Sequence, residues 1–217
     1  MRKTTFLAAL AVLMLLPIGG AEAQNAPRTR GLDFTLGLGV AGCTDAYCAG
    51  FDPSAQVRLE VLYRPLRYLA VGAHLGWQFV DPDRNQPSWV DWGWSMMLGP
   101  ELRGILPVGP LEAWMGLTLG FMRQQIDMEN ESAADIDRAW SNGFGLGFGF
   151  GTQYFVHPKV ALGLDFWLYK GFFDEACTYE NDGDPREQLC GSMSRHEKAA
   201  IGVVFTFGAV VTFFLPL

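Results

Sequence analysis

The sequence predicts an all-β chain folded as an eight-stranded antiparallel up-and-down transmembrane β-barrel. Apolar residues recur at every second position through eight separate segments, the signature of strands with one greasy face. The connections between segments alternate between short and long. The face opposite the apolar one is built mainly from Gly, Ala, Thr and Ser and carries few charges per segment.

Composition narrows the class further. Of 217 residues only 18% are charged and 49% are hydrophobic, against about 25% charged in ordinary soluble domains. The balance of 16 Lys+Arg against 23 Asp+Glu leaves a formal charge of −7, which argues against a nucleic-acid partner. Residues 1–23 read as a signal peptide: Met1-Arg2-Lys3 is the basic start, Phe6 to Ile18 the apolar stretch, and Ala21-Glu22-Ala23 the cleavage site. Cleavage is expected before Gln24; an uncleaved anchor is the alternative, though the apolar run is short for a span. No Cys follows the site, so lipid attachment there is not expected. Residues 24–217 form one barrel domain, with no apolar run of the ~20 residues that a transmembrane helix needs.

The elements follow in order. The first strand alternates through Leu32, Phe34, Leu36, Leu38 and Val40, and the second through Val57, Leu59, Val61 and Tyr63. Leu69-Val71-Ala73-Leu75-Trp77-Phe79 is the third, Trp92-Trp94-Met96-Leu98 the fourth, and Leu111-Ala113-Met115-Leu117-Leu119-Phe121 the fifth. In the sixth, Phe144, Leu146, Phe148 and Phe150 alternate with five glycines between 143 and 151. Val160-Leu162-Leu164-Phe166-Leu168 and the run from Ala199 to Phe213 complete the set. Short turns are expected at 64–67, 107–110 and 156–159, each holding Pro, which suits a position outside the hydrogen-bonded ladder. Longer loops are expected at 41–54, 81–88, 124–139 and 172–196.

Alternation alone would also fit a water-soluble barrel with its apolar face inside. The large residues are too bulky for the narrow interior of eight strands, and the small face lacks the Lys and Glu of a solvated surface. The apolar face is therefore read as meeting lipid, with barrel closure satisfying the backbone. Trp77, Phe79, Trp92, Phe121 and Phe144 then fall near the long-loop end, and Tyr63, Tyr154 and Phe213 near the short-turn end. They read as two interfacial aromatic girdles.

Eight such strands behind a signal peptide resemble the small outer-membrane β-barrel proteins of the OmpA/OmpX type, over nearly the whole mature chain. Thr206-x-Gly208-x-x-Val211-x-Phe213 is similar to the C-terminal β-signal read by the barrel-assembly machinery, although Leu215-Pro216-Leu217 follow the aromatic here. The resemblance implies a bacterial outer-membrane location, contact with outer-membrane lipids and lipopolysaccharide, and insertion by that machinery. It carries no catalytic motif.

Parity places Asp33, Arg58, Glu60, His74, Glu101, Arg103, Glu112 and Asp165 in the lumen. Symmetry about the expected turns pairs Arg103 with Glu112 and Arg58 with His74. Buried charges must be paired or wet, because isolated burial costs several kcal/mol per ion. The favoured reading is a salt-bridged plug; the alternative is a narrow cation-preferring path, since five carboxylates would face two arginines. Trp114 and Trp167 point inward and flank the glycine stripe, so packing over it is expected, with a ligand slot as the alternative.

Cys43, Cys48, Cys177 and Cys190 make an even count in an exported chain, which favours disulfides. Pairing within each loop is preferred, and pairing across the seam between the first and last strands stays open. No metal site or cofactor is expected, and no phosphate-cradling motif is present. Ser194-Arg195-His196-Glu197 has hydrolase residue types without a triad's arrangement, so catalysis is not expected. Loops 41–54 and 172–196, the latter strongly acidic, are candidate contacts for an extracellular partner. The sequence thus points to a structural or surface-interaction barrel, then to a narrow channel for small or apolar solutes, and third to a lipid-modifying enzyme.

Overall fold

The computed structural model describes residues 28–44, 51–82, 90–128, 136–180, 188–192 and 203–217. The expected signal peptide, Cys48, and the Ser194–Glu197 stretch lie outside the described residues.

The strands are β1 (Gly31–Thr44), β2 (Phe51–Asp52), β3 (Ser54–Leu66), β4 (Leu69–Pro82), β5 (Val90–Val108), β6 (Leu111–Met128), β7 (Ile136–His157), β8 (Val160–Glu180), β9 (Gln188–Ser192) and β10 (Val203–Pro216). Eight of them form the barrel wall, in the order β1, β3, β4, β5, β6, β7, β8, β10, each antiparallel to its neighbours. β10 pairs with β8 on one side and with β1 on the other, from Gly31↔Pro216 to Thr44↔Val203, so the sheet closes. Closure leaves no open edge in the wall, the condition for a sheet in lipid. The other two are short: β2 pairs with β4 and β9 with β8.

Three two-residue turns lie at one end: Arg67-Tyr68, Gly109-Pro110 and Pro158-Lys159. Gly109 takes φ +61°, a left-handed conformation that Gly adopts without the clash a Cβ would bring. Two of these turns lie further along the chain than the sequence implies. β3 continues through Arg64 to Leu66, so the connection expected at 64–67 closes at 67–68. β5 runs on to Val108, which moves the next turn to Gly109-Pro110.

The opposite end also departs from expectation. In their described residues, the segments read as loop in 124–139 and 172–196 are strand: β6 reaches Met128, β7 begins at Ile136, β8 reaches Glu180 and β9 spans Gln188–Ser192. Likewise β1 runs through the expected loop start to Thr44, and β4 to Pro82. Once a hairpin leaves the lipid, its ladder of backbone hydrogen bonds can continue although its outer face need no longer be apolar. The alternation stops there while the pairing does not.

Outside, the wall is greasy. Phe34, Leu36, Leu59, Val61, Leu102, Met115, Leu117, Phe148 and Phe150 are all exposed. Tyr63 and Phe213 are exposed near the two-residue turns, where Tyr63 pairs with Leu32 and Phe213 with Phe34; Tyr154, beside Leu111, is half-buried. Trp77, Phe79, Phe121 and Phe144 are exposed toward the other end; the side chain of Trp92 lies outside the described set. The core is the lumen, where Trp114, Trp167, Tyr169, Met97, Met122, Phe173 and Leu62 are buried together with the charged side chains of Asp33, Arg58, Glu60, Arg64, Glu101, Arg103, Glu112 and Asp165.

Candidate functional site: the filled lumen

Three tiers of side chains fill the barrel. The tier nearest the two-residue turns holds Asp33, Arg64, Glu112, Gln153 and Arg28. Arg64 Nε donates to Asp33 Oδ2 at 2.5 Å, while its Nη1 and Nη2 grip Glu112 at 3.0 and 2.8 Å. Gln153 Nε2 donates to Glu112 Oε2 at 2.8 Å. Arg28, just ahead of β1, lies over the Phe155 ring with 3.2 Å to the centroid and pairs with Glu112 at 3.4 Å. Two carboxylates thus meet two guanidiniums, and Phe155 and Phe214 cover the group.

The middle tier holds Arg58, Glu60, His74, Glu101, Arg103 and Asp165. Arg58 bridges Glu60 Oε1, at 2.7 Å, and Asp165. Arg103 Nη2 lies 2.7 Å from Glu60 Oε2 and 2.6 Å from Glu101 Oε1. His74 Nδ1 sits 3.0 Å from Glu101 Oε2 and its Nε2 3.0 Å from the Tyr169 hydroxyl. An ionised carboxylate can only accept a hydrogen bond, so Nδ1 carries hydrogen. With three carboxylates facing two guanidiniums, the tier is neutral when His74 is an imidazolium. Aromatic rings seal the ions: Arg103 lies 3.8 Å from the Trp114 centroid, His74 4.5 Å from that of Trp167, and Trp167 stacks on Tyr169 at 6°.

Above this tier, Met97, Met122 and Phe173 are buried beside Gln56 and Gln78. The glycine stripe of β7 is what admits these bulky groups. A Cβ at Gly145 would strike Met97, one at Gly147 would strike Thr118 and Tyr169, and one at Gly149 would strike the Trp167 indole. Trp167 thus covers Gly149 and Trp114 covers Gly151, while Met97 and Tyr169 occupy the space beside Gly145 and Gly147.

The pairings expected from turn symmetry are corrected. Arg103 lies opposite Gly116 on β6, and Pro107 opposite Glu112, so Arg103 and Glu112 are well apart along the ladder. Arg58 lies opposite Gly76, and His74 opposite Glu60. In both cases the turn sits further along the chain than the sequence implies, and shifting a turn's centre by one residue moves every partner by two. The expected excess of five carboxylates over two arginines also fails. Arg64, a turn residue on the sequence pattern, stays in the pleat and points inward, and Arg28 reaches the lumen from outside the strands. Proline at 65 signals a turn in the sequence; the pairing irregularity between Tyr63 and Leu66 accommodates it within the strand.

Glu60, His74 and Glu101 place three ligand atoms within 4.8 Å of one another. Arg58 and Arg103 already occupy those carboxylates, which makes the trio part of an ion-pair network. Beside Glu175, Cys177 and Cys190 are joined in a disulfide and offer no thiolate. This bond ties β9 to β8, directly across a paired rung, and is thus local to the last long connection. The side chain of Cys43 lies outside the described set.

No protein-family model and no curated protein matches the sequence. Solved structures do match in fold. A major outer membrane protein from Thermus thermophilus aligns over 86% of this chain and 99% of its own, with TM-score 0.62 and 15% identity. Neisserial surface protein A aligns over 84% and 96%, with TM-score 0.55 and 16% identity. The outer membrane protein OprG from Pseudomonas aeruginosa aligns over 85% and 97%, with TM-score 0.51 and 13% identity. The chain has the closed eight-stranded antiparallel fold of the small outer-membrane β-barrels.

Proposed function

We propose that this is a bacterial outer-membrane barrel with a structural or surface-interaction role and a lumen closed to solutes. The observation that carries the reading is the stacking of two ion-paired tiers, each bridging non-adjacent strands across the interior, under a Met and Phe layer. A water path would have to separate charges held at 2.7 to 3.0 Å among almost fully buried side chains, and breaking such a pair is expensive. The reading is also non-enzymatic: the hydrogen bonds of His74 go to Tyr169 and Glu101, which serve packing and charge balance. Interaction then falls to the strand ends and loops at the long-loop end, including 41–54 and 172–196, with insertion by the barrel-assembly machinery.

Planar-bilayer recording on the refolded protein tests the reading. No discrete openings are expected. A stable current would overturn it in favour of a narrow channel, and loss of that current in Glu60→Gln or Glu101→Gln would place the path through the middle tier.

A further inference from the structure

Arg123 differs from the four arginines of the lumen, Arg28, Arg58, Arg64 and Arg103. It follows Leu119 and Phe121 on the outward face of β6, one step beyond the exposed Phe121, toward the long-loop end. Its guanidinium carbon lies 5.7 Å from the Trp94 ring centroid on β5 and 5.8 Å from that of Trp140 on β7. Both indoles flank the same rung, because Trp94 and Trp140 each pair with Gln125. Arg123 Nη2 donates to Gln125 Oε1 at 3.3 Å, which draws the guanidinium away from the Phe121 level and up between the rings. The four arginines of the lumen each meet a carboxylate, whereas none of the ion pairs among the described residues involves Arg123. On its own rung, Glu175 of β8 is separated from it by Asn142 of β7.

A cation on the lipid face is costly in hydrocarbon and tolerable at the interface, where it can reach a headgroup. Guanidinium is planar, keeps its charge and presents several N–H donors suited to two oxygens of one phosphate. Indole rings on either side hold it by cation–π contact and offer flat faces at headgroup depth. We propose that Arg123, held between Trp94 and Trp140, binds a phosphate of an outer-leaflet phosphorylated glycolipid, whose sugar rings lie against the indoles. The site rests on the membrane placement proposed above.

The test uses the full mature chain refolded into phosphatidylcholine nanodiscs, with bisphosphorylated lipid A added as the probe. Bound lipid is counted by native mass spectrometry, and folding is checked separately by heat-modifiable gel mobility. Retention is expected to fall about tenfold in Arg123→Gln, to recover in part in Arg123→Lys, and to fall in wild type when the lipid A phosphates are removed. Equal retention by Arg123→Gln, equal binding of dephosphorylated lipid A, or equal competition by phosphatidylglycerol would each overturn the site. A wild-type chain that fails to enter phosphatidylcholine bilayers would instead overturn the membrane reading, so the two failures are distinguishable.

Discussion

Arg64 on β3 grips Glu112 on β6 through two hydrogen bonds, at 3.0 and 2.8 Å, although the two strands are not neighbours in the sheet. The pair crosses the lumen. It joins opposite parts of the wall near the two-residue turns, and it shares Glu112 with Arg28 and Gln153.

Removing one partner of such a pair leaves a buried charge without its counter-ion. Arg64→Leu is expected to destabilise the barrel by about 3–5 kcal/mol, since both Asp33 and Glu112 lose their main partner. Arg64→Leu with Glu112→Leu should cost less than the sum of the single changes, because fewer uncompensated charges remain. Denaturant unfolding of the protein in vesicles gives both values; strict additivity would mean that the pair is not coupled.

The glycine stripe makes a packing prediction. A Cβ at Gly149 would come within 2.6 Å of Trp167 Cε3. Gly149→Ala is therefore expected to cost about 1–3 kcal/mol through overpacking. Trp167→Phe frees space on the same rung and should offset part of that loss in the double variant. The same unfolding assay measures the offset.

Depth on the lipid face should govern the tolerance of charge. Leu117, exposed in the middle of the outer face between Leu102 and Phe148, is expected to lose about 2–4 kcal/mol on change to Arg. Phe121→Arg, nearer the long-loop rim, should lose about 0–1 kcal/mol from the charge itself, with the lost ring adding to it. Unfolding free energies in bilayers of defined thickness would test the gradient. Equal penalties at the two depths would contradict the outward apolar face.

The Cys177–Cys190 bond lies across a β8–β9 rung beyond the lipid-facing part of β8. Its removal by paired Ser substitution should loosen β9 while leaving the barrel wall folded. Limited proteolysis would then cut this hairpin faster, and heat-modifiable gel mobility would stay unchanged. Loss of the folded band would show that the disulfide supports the wall itself.

The eight strands and their two faces were legible in the sequence because they need only the pleat. Leu111 through Phe121 alternate with Glu112 through Gly120, and that parity alone separates lipid side from lumen side. The long-loop ends were less legible: β7 from Ile136 to Ser141 and β8 from Glu175 to Glu180 have no greasy face to announce them, yet their ladders pair. Proline at 65 misled in the other direction, suggesting a turn where β3 continues with Arg64 facing inward.

By itself, then, the sequence determined that the chain is a closed array of alternating strands and that charged residues such as Glu60 and Asp165 share its small-residue face. Tertiary structure decided which charges meet. Arg64 finds Glu112, Arg103 joins Glu60 to Glu101, and Arg123 settles between Trp94 and Trp140. Such meetings depend on the centre of each turn and on the stagger of strands around the barrel. Strand alternation is a local property with a period of two residues, whereas contact across a lumen is set by the accumulated register of every strand between.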